Sequence, residues 1–378
     1  MFGRCRKLIF NAFVAQVLVI LACLGVFFSL TTRDYPRHDF VCYWASARLL
    51  AAGHNPYDPA AVRQLERLAG FQERGPVFLM RNPPWVLPLV AFLGYPSLHV
   101  AALLWAAFML VLAAFSCWML TRNHPEKRDL LIYFAPLAFA LLYGQTTTVL
   151  LFAVSLFLCC RKRPLVAGLA LSLTVIKPHL LLVFWPVLLV DCWRRRSGRL
   201  ALGFLLGLAA LTMLSFALDP HAWAEYRIAM AQQGISSQFL PNISAELRFQ
   251  LFPRLAWVQL VPSLLAVVAA LFWYAKAQHW DWTYHGALLV AASVVLSPYS
   301  WTYDLALVLP AMLTLPATEE LRQVMLIASL MTVLPFEYTR VWASPPMAFA
   351  GVIWAGWYCY ARIKASRAAI PEGEIALG

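Results

Sequence analysis

The sequence is poor in charge, and poorest in acids. Asp and Glu together number 18 among 378 residues, against 30 Lys and Arg, and charged residues make up only 13% of the chain. That composition excludes an ordinary soluble domain of this length, which could not hide so much apolar surface. The eight cysteines never stand in C-x-x-C spacing and most lie in or near apolar runs, so neither a disulfide framework nor a zinc site is expected. Cys159 and Cys160 read as packing residues, and only Cys42 falls in a polar loop. There is no Walker loop, no G-x-G-x-x-G after a strand and no cluster with metal-ligand spacing. Those absences argue against a nucleotide-driven pump and a cytosolic nucleotide-sugar enzyme, and no metal or other cofactor is expected.

What fills the chain instead is hydrocarbon: 62% of the residues are hydrophobic and the mean hydropathy is +0.68. Long apolar runs recur at 8–30, 100–120, 200–218 and 255–275. Each approaches the roughly 20 residues that carry a helix across a ~30 Å hydrocarbon layer. The fold class expected is therefore an all-α polytopic membrane protein. The first run follows Arg4, Arg6 and Lys7 like a signal peptide, but its 23 residues exceed a signal core and no small-residue cleavage site follows. It is expected to stay as a span.

The net charge of +12 sits in short loops: "RCRK" at the start, "RKR" at 161–163, "WRRRSGR" at 193–199 and "RIKASR" at 362–367. Short basic loops stay cytoplasmic, so the charge marks topology and attracts anionic lipid heads; no nucleic-acid partner is implied. Residues 31–82 then form a first external loop and 219–254 a second, with residues 1–361 a single integral-membrane domain and 362–378 a cytoplasmic tail. In the first loop, "FVCYWASARLLAAG" has helical spacing and ends on Gly53. "NPYDPAAVRQLERLAG" offers Asp58 as N-cap, Pro59 at the first helical position and Gly70 at the end. Both are expected to be amphipathic helices on the membrane surface.

Three apolar segments are interrupted: 130–160 at "YGQTTT", 164–192 at "IKPH" and 284–317 at "SPYSWTYD". Each fits a hairpin of two short helices whose turn reaches outward. Broken membrane helices leave backbone groups that need a protein-enclosed cavity, so the breaks point to functional sites. "PPWVLPLVAFLGYP" at 83–96 is too short for a comfortable crossing and reads as re-entrant. Ten to thirteen spanning or half-spanning helices are expected.

Candidate site residues follow from these breaks. Asp39 stands just outside the first span, where a carboxylate serves as a general base, a surface ion-pair partner or a helix N-cap. His38 precedes it, and Asp34 is its nearest rival. Lys177 at membrane depth needs a cavity, a partner or a route to water. At an outward apex, followed by His179, it suits a phosphate. Gln145 offers a polar contact in the same cavity or a turn-stabilising group. Asp304 opens an apolar run, as a cap or a site residue. Tyr43 stands beside Asp39, and Tyr57, Trp85, Trp301 and Tyr303 could line a sugar or lipid groove.

Taken together, several stretches resemble glycosyltransferase family 87, polyprenyl-phosphate-sugar-dependent enzymes of the GT-C fold. "DFVCYWASARLLAAGHNPYD" (39–58) is similar to its D-x-x-x-Y-x-x-A-x-x-L-x-x-G-x-x-P-Y signature. "NPPWVLPLVAFLGYP", "YGQTTTVLL", "AGLALSLTVIKPHLLLVF" and "SPYSWTYDLALVLPA" resemble its later motifs, in order. The resemblance implies a GT-C-like helix bundle in a bacterial plasma membrane, with its site facing the periplasm or exterior. It implies inverting transfer of a sugar from a polyprenyl-phosphate donor to a hydroxyl on an envelope glycan or glycolipid acceptor. Asp39 matches the family's catalytic aspartate, and Lys177 the lysine of its K-P segment, assigned here to the donor phosphate. Where some members carry a histidine after S-W, this chain has Thr302-Tyr303-Asp304, and His179 stands as a substitute. The competing classes are a secondary transporter or flippase, and a structural subunit of an envelope-polymer complex.

Overall fold

The computed structural model describes residues 39–71, 77–232 and 240–338, with the single positions Gly356 and Tyr360. The run at 8–30, the tail at 362–378, His38 and Asp34 lie outside the described residues. The described residues are largely helical, with no strand among them. In chain order the helices are α1 (Phe40–Ala51) and α2 (Pro59–Leu68), α3 (Pro84–Gly94), α4 (Leu98–Thr121), α5 (Ala135–Leu142), α6 (Thr147–Cys159) and α7 (Pro164–Ile176). Then come α8 (Phe184–Arg194), α9 (Gly198–Leu218), α10 (Ala222–Gln232), α11 (Ile243–Leu251), α12 (Ala256–Lys276), α13 (Trp282–Val295), α14 (Thr302–Met312) and α15 (Glu319–Tyr338).

Three of these are long and apolar enough to cross a membrane: α4, α9 and α12. At 1.5 Å per residue, the 24 residues of α4 reach about 36 Å. Six shorter apolar helices accompany them, α1, α3, α6, α7, α13 and α14. Short apolar helices are what the interrupted segments predict. The breaks fall where expected: 143–146 between α5 and α6, Lys177 after α7, and 296–301 before α14. A proline or a left-handed glycine stands at each of the first two, and Pro298 at the third.

By contact clustering the chain divides into two compact units. The first comprises the described residues of 1–123, 136–178 and 188–238; the second those of 124–135, 179–187 and 239–378. In the first, α7 and α9 pack closely. A Cβ at Gly168 would collide with the Leu200 carbonyl, and one at Gly203 with that of Leu165. Small residues at these positions let two backbones touch, which in lipid replaces the hydrophobic drive between helices. In the second, Arg322 of α15 pairs with Asp129 at 2.6 Å, tying α15 to the 3₁₀ segment Pro125–Tyr133.

Helix α2 matches its expected form: Asp58 accepts from the Ala60 N–H at 2.9 Å, Pro59 is the first helical residue and one face is polar. Helix α1 departs from it. Nine of its twelve residues are buried, so it is a core helix rather than a surface one. The reason is visible in its composition: "FVCYWASA" is apolar or small on every side, and such a helix finds no water-facing stripe. Cys42 is accordingly buried inside α1, not displayed in a polar loop.

Candidate active site

Helix α1 begins immediately after Asp39, and its packing puts that carboxylate against the α5–α6 turn. The turn itself is made by the backbone. Gly144 takes φ +64°, where a side chain would be strained. The Gln145 N–H donates to the Ala140 carbonyl at 2.8 Å, and the Trp105 indole N–H donates to the Gly144 carbonyl at 2.7 Å. Gln145 is 4% exposed, and its amide lies between two charged residues. Its Nε2 donates to Asp39 Oδ2 at 2.7 Å, while its Oε1 accepts from Lys177 Nζ at 2.9 Å. Lys177 also donates to Thr147 Oγ1 at 3.0 Å.

Three segments of sequence, at 39, 145–147 and 177, thus meet through side chains within the first unit. Burying an ammonium costs several kcal/mol unless hydrogen-bonded partners replace its water, and Gln145 and Thr147 supply two of them. Lys177 sits at the end of α7 in non-helical backbone (φ −140°, ψ 67°), so its side chain leaves the helix axis where the chain turns. Pro178, unable to continue an α7 ladder, fixes that end.

Asn82 closes the arrangement. Its Nδ2 donates to the Ile176 carbonyl at 2.9 Å, beside Lys177, and to Thr146 Oγ1 at 3.4 Å. Its own carbonyl accepts from the Tyr57 hydroxyl at 3.1 Å. The Tyr43 hydroxyl lies 3.3 Å from both Gln145 Oε1 and Thr146 Oγ1. Sequence reasoning missed Asn82, Thr146 and Thr147. The available signal was their place as the polar residues of otherwise apolar breaks, Asn82 directly before Pro83-Pro84. Tyr43 and Tyr57, 2% and 1% exposed, are packed into this network rather than offering open ring faces. Trp85 donates to Thr212 Oγ1 at 2.9 Å and meets Trp223 edge-on at 4.8 Å.

Near Tyr57, the residues of α10 add acid. Glu225 is pushed up to about 7, first by burial and then by the like charge of Asp219 and a hydrogen bond with it, with Asp58 adding to the effect. The Tyr57 and Tyr226 rings meet edge-on at 5.4 Å.

The remaining candidates among the described residues lie in the second unit. His179 packs edge-on against Tyr299 at 5.3 Å, and its backbone carbonyl accepts from the Ser297 hydroxyl. Asp304 accepts from the Trp301 N–H at 2.9 Å, the cap that starts α14. The Trp301 and Tyr303 rings stack at 6.3 Å. Asn242 reinforces this loop, donating to the Ser300 carbonyl at 3.0 Å while capping α11. No group of three or more His, Cys, Asp or Glu side chains that could hold a metal ion occurs among the described residues.

Chemically, the first unit brings a half-buried carboxyl group and a buried ammonium onto the two ends of one neutral amide. Comparison with known proteins returned no matching curated protein and no matching solved structure. The model of glycosyltransferase family 87 matches residues 78–335, which include Asn82, Gln145, Lys177 and the 297–304 loop, and begin after Asp39 and Tyr57. With more than half of the chain so matched, and apolar helices long enough to span a bilayer, the chain belongs to glycosyltransferase family 87.

Proposed function

We propose that this membrane glycosyltransferase takes its sugar from a polyprenyl-phosphate donor and passes it to a hydroxyl on an envelope glycan or glycolipid, at the outer face of a bacterial plasma membrane. The observation that carries the reading is the bridge Asp39–Gln145–Lys177, which gathers a half-buried acid and a buried cation from residues 138 positions apart in sequence into one network. Asp39 takes the proton from the acceptor hydroxyl as its oxygen attacks the anomeric carbon. The bond from that carbon to the phosphate oxygen breaks in the same displacement, so the configuration inverts. The leaving lipid phosphate gains negative charge, and Lys177 is the cation that meets it. A fixed donor aimed at developing charge is worth about 10²–10³ in rate. The lipid tail accounts for the location, because it holds the reactive carbon at the membrane boundary where α1 begins. A nucleotide site is not required by this chemistry.

Incubating the purified protein with labelled polyprenyl-phosphate sugars and an envelope lipid extract tests the proposal. The expected result is label in a new glycolipid or glycan with stoichiometric release of polyprenyl phosphate. Label that crosses the bilayer of a proteoliposome still attached to its lipid would instead identify a flippase.

A further inference from the structure

The peptide plane between Ile176 and Lys177 is held at both edges. On one edge, the Lys177 N–H donates to the Thr174 carbonyl at 3.2 Å, within the 3₁₀ turn that ends α7. On the other stands the Ile176 carbonyl, one of the last four of its helix, which a helix cannot satisfy from within. Asn82 supplies the donor from a distant part of the chain, its Nδ2 lying 2.9 Å from that carbonyl. Because a peptide unit is planar, fixing both groups fixes the tilt of the whole plane. Pro178 then restricts the Lys177 backbone from the far side. The direction in which the lysine side chain leaves the backbone is thereby set.

The same nitrogen also reaches the turn that receives the ammonium. It donates to Thr146 Oγ1 at 3.4 Å, and the flanking residues Gln145 and Thr147 accept from Lys177 Nζ at 2.9 and 3.0 Å. Asn82 therefore joins the two segments that the lysine side chain also joins. Its amide orientation is chemically forced, since a backbone carbonyl only accepts and must face the nitrogen; one NH2 group has a hydrogen for each of two acceptors. Asn82 is itself held in place. It is buried in the bend before α3, the Tyr57 hydroxyl donates to its backbone carbonyl at 3.1 Å, and Pro83 restricts its backbone.

Resting on the reading of Lys177 as the partner of the donor phosphate, we propose that Asn82 is a positioning residue. It ties the end of α7 to the α5–α6 turn at a fixed spacing, and so sets the place of the Lys177 ammonium beside Gln145 and Thr147. It acts through the lysine and needs no contact of its own with the sugar or the acceptor.

The test is a double-mutant cycle on Asn82→Leu and Lys177→Met. Its readout is the dissociation constant for undecaprenyl phosphate, a sugar-free probe, with thermal unfolding in detergent recorded for each variant. Leucine keeps the branched shape of asparagine and removes both donors. With Lys177 present, Asn82→Leu is expected to weaken binding about tenfold, as a small misplacement of a fixed group does. In the Lys177→Met protein the same change should weaken it by less than about twofold, because the group being positioned is gone. Equal losses in both backgrounds overturn the proposal, making Asn82 either a general structural residue or a direct contact of the probe. Unchanged binding in a folded Asn82→Leu protein overturns it as well. If Asn82→Leu does not fold, Asn82→Ala, which removes the donors without filling their space, decides by the same cycle. The underlying reading fails separately: wild-type binding in Lys177→Met removes the phosphate role itself. Weakened binding in Lys177→Met together with equal Asn82 losses removes only the positioning role.

Discussion

Lys177 Nζ and Gln145 Oε1 lie 2.9 Å apart, joining the end of α7 to the turn between α5 and α6 across 32 residues of sequence. The bond explains how a lysine persists between "LTVI" and "PHLLLVFW", where an unpartnered ammonium would be expelled or neutralised.

If that lysine serves the donor phosphate, Lys177→Met keeps most of its length and removes its charge. Losing a charge-assisted contact costs about 1.5–3 kcal/mol, or roughly ten- to more than a hundred-fold in donor affinity. Lys177→Arg retains part of the affinity, since the charge survives in a different shape. Donor-lipid binding and thermal stability, measured on both variants, check this. A more stable Lys177→Met protein with unchanged donor binding would make the lysine a packing residue.

Asp39→Asn preserves volume and removes basicity. Transfer should fall by at least ~10²-fold, with donor binding and the unfolding temperature close to wild type. The assay is single-turnover transfer from pre-bound donor. Activity retained in Asp39→Asn but lost in Asp34→Asn would move the base to the neighbouring acid.

Glu225 makes stability depend on pH. Its folded pKa of about 7 lies above the usual 4.5, so the folded state holds the proton more tightly than the unfolded chain. Its contribution is complete below pH ~4.5 and is lost as pH rises through about 7. Glu225→Gln, a permanent mimic of the protonated form, should raise the Tm at pH 8, leave it nearly unchanged at pH 4 and flatten the slope between. Thermal unfolding in detergent across that range reads it directly. An unchanged slope would mean that neither burial nor the charges of Asp219 and Asp58 raise Glu225.

Topology supplies a further check. In a cysteine-free background, an impermeant thiol reagent applied to intact cells should label His54→Cys, in the exposed turn after α1. It should spare Ser197→Cys, among the arginines before α9. Cys42 is unsuited to this experiment because it is buried. The reverse labelling pattern would place the site on the cytoplasmic side and remove the outer-face donor.

The helical, membrane-bound character of the chain was legible residue by residue, because hydropathy is additive: each apolar run reports its own free energy of transfer. The breaks at Gly144, Pro178 and Pro298 were equally legible, since glycine and proline interrupt a helix through local chemistry. The cap of α2 at Asp58 belongs to the same class. Burial of α1 was not legible: a helix apolar on every face looks the same whether it meets lipid, a headgroup layer or protein. Nor were the contacts of the Gln145 amide with Asp39 and Lys177, for which a turn and a polar contact were equally available readings. Asp304 shows the converse, a candidate site residue whose carboxylate is seen capping its own helix. Asn82, Thr146 and Thr147 escaped notice because a short polar side chain in a loop or at a helix start carries no periodic signal. The sequence alone determined where the chain could be helical and where it had to break. Tertiary structure decided which breaks share a network, because Asp39, Gln145 and Lys177 interact through hydrogen bonds of about 3 Å, and no pattern along the chain encodes a distance between residues a hundred positions apart.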